Sequence, residues 1–150
     1  MPLKKRKLGS SDLLVSEVCL GCMLFGSMTS EEDSYKILDA AYSKGVNFFD
    51  TAEMYSIPPR KHWAGQSSVI LGKWLKMRGI KREDVVISSK VLGYTAADDM
   101  GFIVANRTDP PSEVAEARLD AKNIEAALDG ELRRLQLDYI DLFHTHWPDR

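Results

Sequence analysis

The sequence lacks most of the features that would assign a function class at once. It holds two cysteines in 150 residues. That is too few for a disulfide framework, so a reducing, cytoplasmic compartment is the expectation. No apolar stretch approaches the roughly 20 residues that span a bilayer. The positive residues near the N-terminus have no apolar run behind them, so no secretory signal is expected. Charge of one sign is also missing: 20 basic side chains face 22 acidic ones, a formal net charge of −2. That balance calls for neither nucleic acid nor a membrane surface as partner. The one basic run, Lys4-Lys5-Arg6-Lys7, reads as a solvated strand rather than a localisation signal or phosphate patch. There is no G-x-G-x-x-G fingerprint, and Gly21 to Gly26 is not followed by Lys and Ser/Thr, so neither a Rossmann turn nor a P-loop is present. No metal is expected.

Cys19 and Cys22 do spell C-x-x-C. The segment Ser16 to Gly21 reads as a strand, however, and positions three apart in a strand point to opposite faces. Two sulfurs so placed do not meet, and no helix pattern opens here as a thioredoxin-like motif requires.

What the chain does have is a regular alternation. Residues 4–8 and 12–16 flank Gly9-Ser10-Ser11 and predict a hairpin. A first buried strand is expected at 17–21. Thr29 and Glu32 make a capping box, and Ile37, Leu38, Ala41 and Tyr42 share a helical face that ends at Gly45. Val46 to Asp50 is a second strand. Leu71, Trp74, Leu75 and Arg78 define a second helix ending at Gly79. Val85 to Lys90, rich in β-branched residues, is a third strand. A long polar stretch from Val91 to Leu119 contains Asp109-Pro110-Pro111-Ser112, and ordered loops of that length are commonly lids. A third helix is expected from Ala121 to Leu137, with Ile124, Leu128, Leu132 and Leu135 on one side, and a fourth strand from Tyr139 to His144.

Strands alternating with helices predict a parallel sheet with crossover connections. Two architectures fit: a doubly wound sheet, or part of a (β/α)8 barrel. A whole barrel takes about 250 residues, so on the second reading four strands are one part of it. The chain is then expected to be a fragment, a split-gene product or a subunit that pairs.

In either architecture functional groups gather at the carboxyl ends of the strands. Those ends carry Gly21-Cys22-Met23, Asp50-Thr51-Ala52-Glu53-Met54-Tyr55, Ser88-Ser89-Lys90 and His144-Thr145-His146-Trp147-Pro148. An acid, a phenol, an amine and an imidazole are thereby directed to one end of the sheet. Singly, each has a structural explanation. Together they point to proton transfer, because Asp and Lys are rarely buried unless paired.

These segments, with Arg134-Leu135-Gln136-Leu137-Asp138-Tyr139-Ile140-Asp141-Leu142 before His146-Trp147-Pro148, resemble the aldo-keto reductases. Met54 to Arg60 and the long excursion after Lys90 are similar to the bacterial Tas-like branch. The resemblance runs from the hairpin to Arg150. It implies that 1–150 is the N-terminal half of a triosephosphate-isomerase-type (β/α)8 barrel, with 1–16 as hairpin and 17–150 as strands one to four with their helices.

It also implies reduction of aldehydes and ketones by hydride transfer from NADP(H). In that scheme Tyr55 is the general acid, and Lys90 supplies the charge that favours its deprotonated form. Asp50 holds Lys90, and His146 orients the carbonyl oxygen. Gly21, Cys22, Met23 and Asp50 match positions that approach the nicotinamide. Met54, Trp63 and Trp147 are expected pocket walls around a small carbonyl substrate. His144 is expected in the barrel interior. The family grips the rest of the cofactor with later strands. The alternative is therefore a non-catalytic half-barrel or assembly subunit that does not bind cofactor alone and that pairs with a C-terminal half or with itself. The family's channel-associated members lack the strand-four histidine, and His146 is present here.

Overall fold

The computed structural model describes residues 3–94 and 117–149. Most of the polar stretch expected at 91–119, including Asp109 to Ser112, lies outside the described residues.

The N-terminal hairpin forms as expected. Strand β1 (Lys5–Lys7) pairs antiparallel with β2 (Leu14–Ser16). Asn47 fastens this hairpin to the rest of the fold. Its Oδ1 accepts the Ser16 N–H at 2.7 Å, and its Nδ2 donates to the Leu14 carbonyl at 2.9 Å.

Four parallel strands follow: β3 (Cys19–Gly21), β4 (Phe48–Asp50), β5 (Val86–Val91) and β6 (Leu142–Thr145), side by side in that order. Between them run α1 (Glu31–Ser43), α2 (Gln66–Met77) and α3 (Ala121–Leu135). The order decides between the two architectures. Right-handed crossovers between successive neighbours put every helix on the same face. A doubly wound sheet needs a reversal of strand order, and the described strands contain none. The sheet therefore has one helix-covered face and one bare face.

The covered face carries the core. Phe49 and Ile87 meet Leu38, Ile70, Leu71, Trp74 and Leu135, all at most 1% exposed. Trp74 is central. It packs against Phe49 at 5.4 Å and Tyr42 at 5.8 Å between ring centroids. Its indole N–H, which would be costly to bury unpaired, donates to Asp39 at 2.8 Å.

Several local expectations change. The first helix is capped by Ser30, not Thr29: Ser30 Oγ accepts the Asp33 N–H at 3.1 Å. Within α1, Ile37 is exposed, while Ser34 and Leu38 are buried. Gly45 and Gly79 take positive φ just beyond α1 and α2, as expected. The third helix stops at Leu135, because Gln136 turns left-handed with φ 56°. Its deepest stripe is Ala127, Gly130, Glu131 and Leu135, and the expected face of Ile124, Leu128 and Leu132 is only half-buried. Leu135, the fourth residue of the expected face, is buried as expected, and a Cβ on Gly72 of α2 would lie 2.3 Å from its carbonyl oxygen. The first parallel strand was expected to be buried, yet Cys19 and Gly21 are exposed. Among the described residues β3 is an edge strand and the face opposite the helices is uncovered.

Candidate active site

Strand alternation sorts the polar residues. Register places Gly21 beside Asp50 and Asp50 beside Ser88. Two residues on, Lys90 lies beside His144. With period two, these side chains share the face opposite Phe49 and Ile87. Asp50 and Lys90 are half-buried, and His144 is exposed on that open face.

Lys90 is held at two points. Its Nζ donates to Asp50 Oδ2 at 2.5 Å and to the Thr51 carbonyl at 2.7 Å. Asp50 is fixed on its other oxygen by Ser88 Oγ at 2.8 Å. The sequence reading gave Ser88 no role, although its place beside Asp50 in register was the available signal. This is a charge-assisted pair with its acceptor oriented from both sides.

Tyr55 returns to this pair because of Glu53. Glu53 N–H donates to the Lys90 carbonyl at 3.2 Å, and its buried carboxylate accepts the Leu92 N–H at 2.6 Å. The loop after β4 is thus pinned to the end of β5. Tyr55, itself 8% exposed, then sits with its ring centroid 4.8 Å from Lys90 Nζ. His146 arrives from the other side, its N–H bonded to the Val91 carbonyl at 2.9 Å. Its Nε2 is 3.4 Å from the Tyr55 hydroxyl, and the rings meet edge-on at 5.5 Å. Burial, and then the positive charge of Lys90, push the imidazole down to about 4. It is therefore neutral at neutral pH. Its Nδ1 is buried with no hydrogen-bond partner among the described residues.

Trp147 fixes the end of β6. A Cβ on Gly93 would lie 2.2 Å from the Trp147 carbonyl oxygen, so only glycine permits this approach. The indole N–H then donates to the Tyr94 carbonyl at 2.8 Å. Trp147 and Met54 pack together on Leu92 and Ala117, so these two expected wall residues do converge. Trp63 does not join that cluster. Its ring packs on His62 at 4.6 Å and under Arg60 at 5.1 Å.

The residues expected near a nicotinamide are split. Gly21 opens onto free space, with nothing within 4 Å of a Cβ built there, and Met23 is exposed. Cys22 points the other way, into the core with Phe25, Phe49 and Trp74. Its N–H and carbonyl are both occupied, by the Asp50 carbonyl and by Ser67 Oγ. Cys19 is exposed and Cys22 buried, both are free, and desolvation with the charge of Asp50 raises both thiols. A paired redox dithiol is not what these cysteines form.

An ammonium held against a phenol, with a neutral imidazole facing the same hydroxyl, is equipped to give a proton to an oxygen placed between them. Among the described residues no helix is long and apolar enough to cross a membrane.

Comparison with known proteins identifies the family. The aldo/keto reductase family model matches residues 17–150. The chain is 40% identical over 148 residues to protein Tas of Escherichia coli K12, covering 99% of this chain and 39% of that protein. It is 38% identical over 143 residues to the uncharacterized oxidoreductase YrpG of Bacillus subtilis, covering 95% and 40%. A solved aldo-keto reductase from Bacillus halodurans, in its holo form, superposes with a TM-score of 0.67 at 33% identity, over 94% of this chain and 39% of that one. The chain thus spans about two fifths of the length of the relatives it matches, and its sheet is part of a (β/α)8 barrel. It belongs to the aldo/keto reductase family.

Proposed function

We propose that residues 1–150 form the N-terminal half of a barrel that reduces aldehydes and ketones to alcohols with NADP(H). The observation that carries this reading is the junction of Tyr55, Lys90, Asp50 and His146 at one end of the sheet. The bare face beside it suits a flat ring: Gly21 has no side chain, Met23 is exposed, and Asp50 lies between them and Lys90. Cys22 contributes shape there only through its backbone. A dihydronicotinamide held beside Gly21, Met23 and Asp50 would supply the hydride.

The chain's own residues manage the proton. Tyr55 donates its hydroxyl proton to the substrate oxygen. Lys90 stabilises the phenolate left behind, and Asp50 keeps the ammonium in place. His146, neutral, has a ring N–H to offer the same oxygen and so orients it. Met54 and Trp147 form the apolar wall against the substrate's carbon side.

The test is turnover of NADPH by the purified chain with nitrobenzaldehyde, followed by absorbance, beside Tyr55→Phe. Loss of turnover in the variant is expected; turnover that survives it overturns the mechanism. A second reading has one observation in its favour, the exposure of Cys19, Gly21 and His144 on the uncovered face. On that reading the chain is a half-barrel that holds no cofactor until a C-terminal half or a second copy covers this face. NADPH fluorescence distinguishes the two: no binding by the chain alone, with binding restored by a supplied C-terminal half, supports the second.

A further inference from the structure

Behind the site, on the helix side of the sheet, lies a carboxylate that the proposed reaction does not use. Glu131 of α3 is 0% exposed. Its Oε1 accepts Arg134 Nε at 2.8 Å. Its Oε2 accepts Ser68 Oγ of α2 at 2.8 Å and Ser89 Oγ of β5. Ser68 Oγ is 3.0 Å from Thr51 Oγ1, and so is Ser67 Oγ, which also donates to the Cys22 carbonyl at 2.7 Å. The Thr51 carbonyl is the second acceptor of Lys90 Nζ, at 2.7 Å. One buried ion thus reaches the carboxyl ends of β3, β4 and β5 through four hydroxyls, each at most 1% exposed.

The direction of the bonds is forced. A carboxylate only accepts. Ser68 and Ser89 must therefore both donate to it. With the Ser68 proton committed, Thr51 is the donor in the Thr51–Ser68 contact. Ser67 gives its proton to the Cys22 carbonyl, so its 3.0 Å contact with Thr51 can draw only on the proton that Thr51 directs toward Ser68. A hydrocarbon would join α2 to α3 at lower cost than a desolvated ion. The hydroxyls, moreover, come from strand ends and from the first turn of α2, not from the Gly72–Leu135 contact where the helices meet.

We propose that Glu131 is a positioning residue for the proton-transfer site: it orients Ser68, Thr51 and Ser89 so that the Thr51 carbonyl and the end of β5 hold the Lys90 ammonium at Asp50 and Tyr55. The proposal rests on the reading of Lys90 and Tyr55 given above, but its first readout needs no turnover. Lys90 in the 150-residue chain is labelled with trace acetic anhydride, and its acetylation is measured by mass spectrometry relative to exposed Lys44.

In Glu131→Gln the amide brings a donor to a site that receives donors only, so Lys90 acetylation rises several-fold. Thr51→Val keeps the carbonyl and removes the hydroxyl, and gives the same rise; Thr51→Ser restores the wild-type value. Asp39→Asn, which replaces the oxygen that accepts Arg78 Nη2 by a donor, away from the Glu131 hydroxyls, leaves it unchanged. In an active preparation Glu131→Gln lowers kcat about tenfold or more with KM for NADPH unchanged, as small misplacements of a reacting group do. Wild-type labelling in Thr51→Val overturns the proposal, even where Glu131→Gln does not fold. An equal rise in Asp39→Asn overturns it too, by showing general loosening. Turnover that survives Tyr55→Phe while labelling responds as described removes Tyr55 as the proton donor and leaves the positioning role standing.

Discussion

The two faces of the four-stranded sheet use the same strands for opposite purposes. On the helix side, Phe49 and Ile87 are 0% exposed and belong to one apolar cluster with Trp74 and Leu135. On the other side, their neighbours Asp50, Ser88 and Lys90 form a chain of charged and hydroxyl groups that ends at Tyr55 and His146. The first face carries the apolar core, and the proposed chemistry falls on the second. A single-residue step along β4 or β5 crosses from one to the other. The exception is Glu131 with its serines, a polar patch set within the covered face.

Substitutions can break this division or sharpen it. The largest effect is expected from Lys90→Met. It removes the ammonium, lowers the proposed carbonyl reduction by roughly 10²-fold or more, and moves the urea midpoint less than a core truncation does. A collapse of stability here would show that the open face carries the fold after all. Next is Phe49→Ala, which vacates the space against Trp74. About 3–5 kcal/mol of stability should be lost in denaturant titration, with the Tyr55–His146 contact kept in the folded fraction. Smaller is Gly72→Ala: its methyl would meet the Leu135 carbonyl oxygen, costing about 1–3 kcal/mol as α2 and α3 separate.

The smallest effect is one of pH. His146 is depressed from 6.5 to about 4 in the folded chain, so the unfolded chain takes up its proton first. Stability is then fully present above pH 6.5 and is lost as pH falls toward 4. His146→Gln should lose less stability than the wild type between pH 7 and pH 5 in paired urea titrations. Equal losses would mean that the imidazole is not desolvated.

Much of this division was legible in the residues. Val46 to Asp50 and Val85 to Lys90 read as strands, and position at strand ends singled out Asp50, Tyr55, Lys90 and His146. Helix ends and faces were read less well. Thr29 looked like the cap because Glu32 completes its box, but Ser30 has Asp33 at the same spacing and takes the role. In α3 the expected Leu135 is buried, but the rest of the buried stripe is Ala127, Gly130 and Glu131 rather than Ile124, Leu128 and Leu132. Glu131 was missed because a glutamate on a helix normally faces water. Its only signal was spacing: it lies four residues from both Ala127 and Leu135, which are 0% exposed. The serines that meet it come from β5 and α2, and such long-range partners leave no mark in local pattern.

The contact between Gly93 and Trp147 has a consequence for how such a site diverges. The backbone of residue 93 and the carbonyl of residue 147 share a space with no room for a methyl group. Position 93 is therefore a steric dial on the segment that carries His146, although it has no functional group. A side chain there alters the angle at which the imidazole meets Tyr55 without touching any reacting atom. The geometry of the proposed site can thus drift through a residue that no inventory of chemical groups would include.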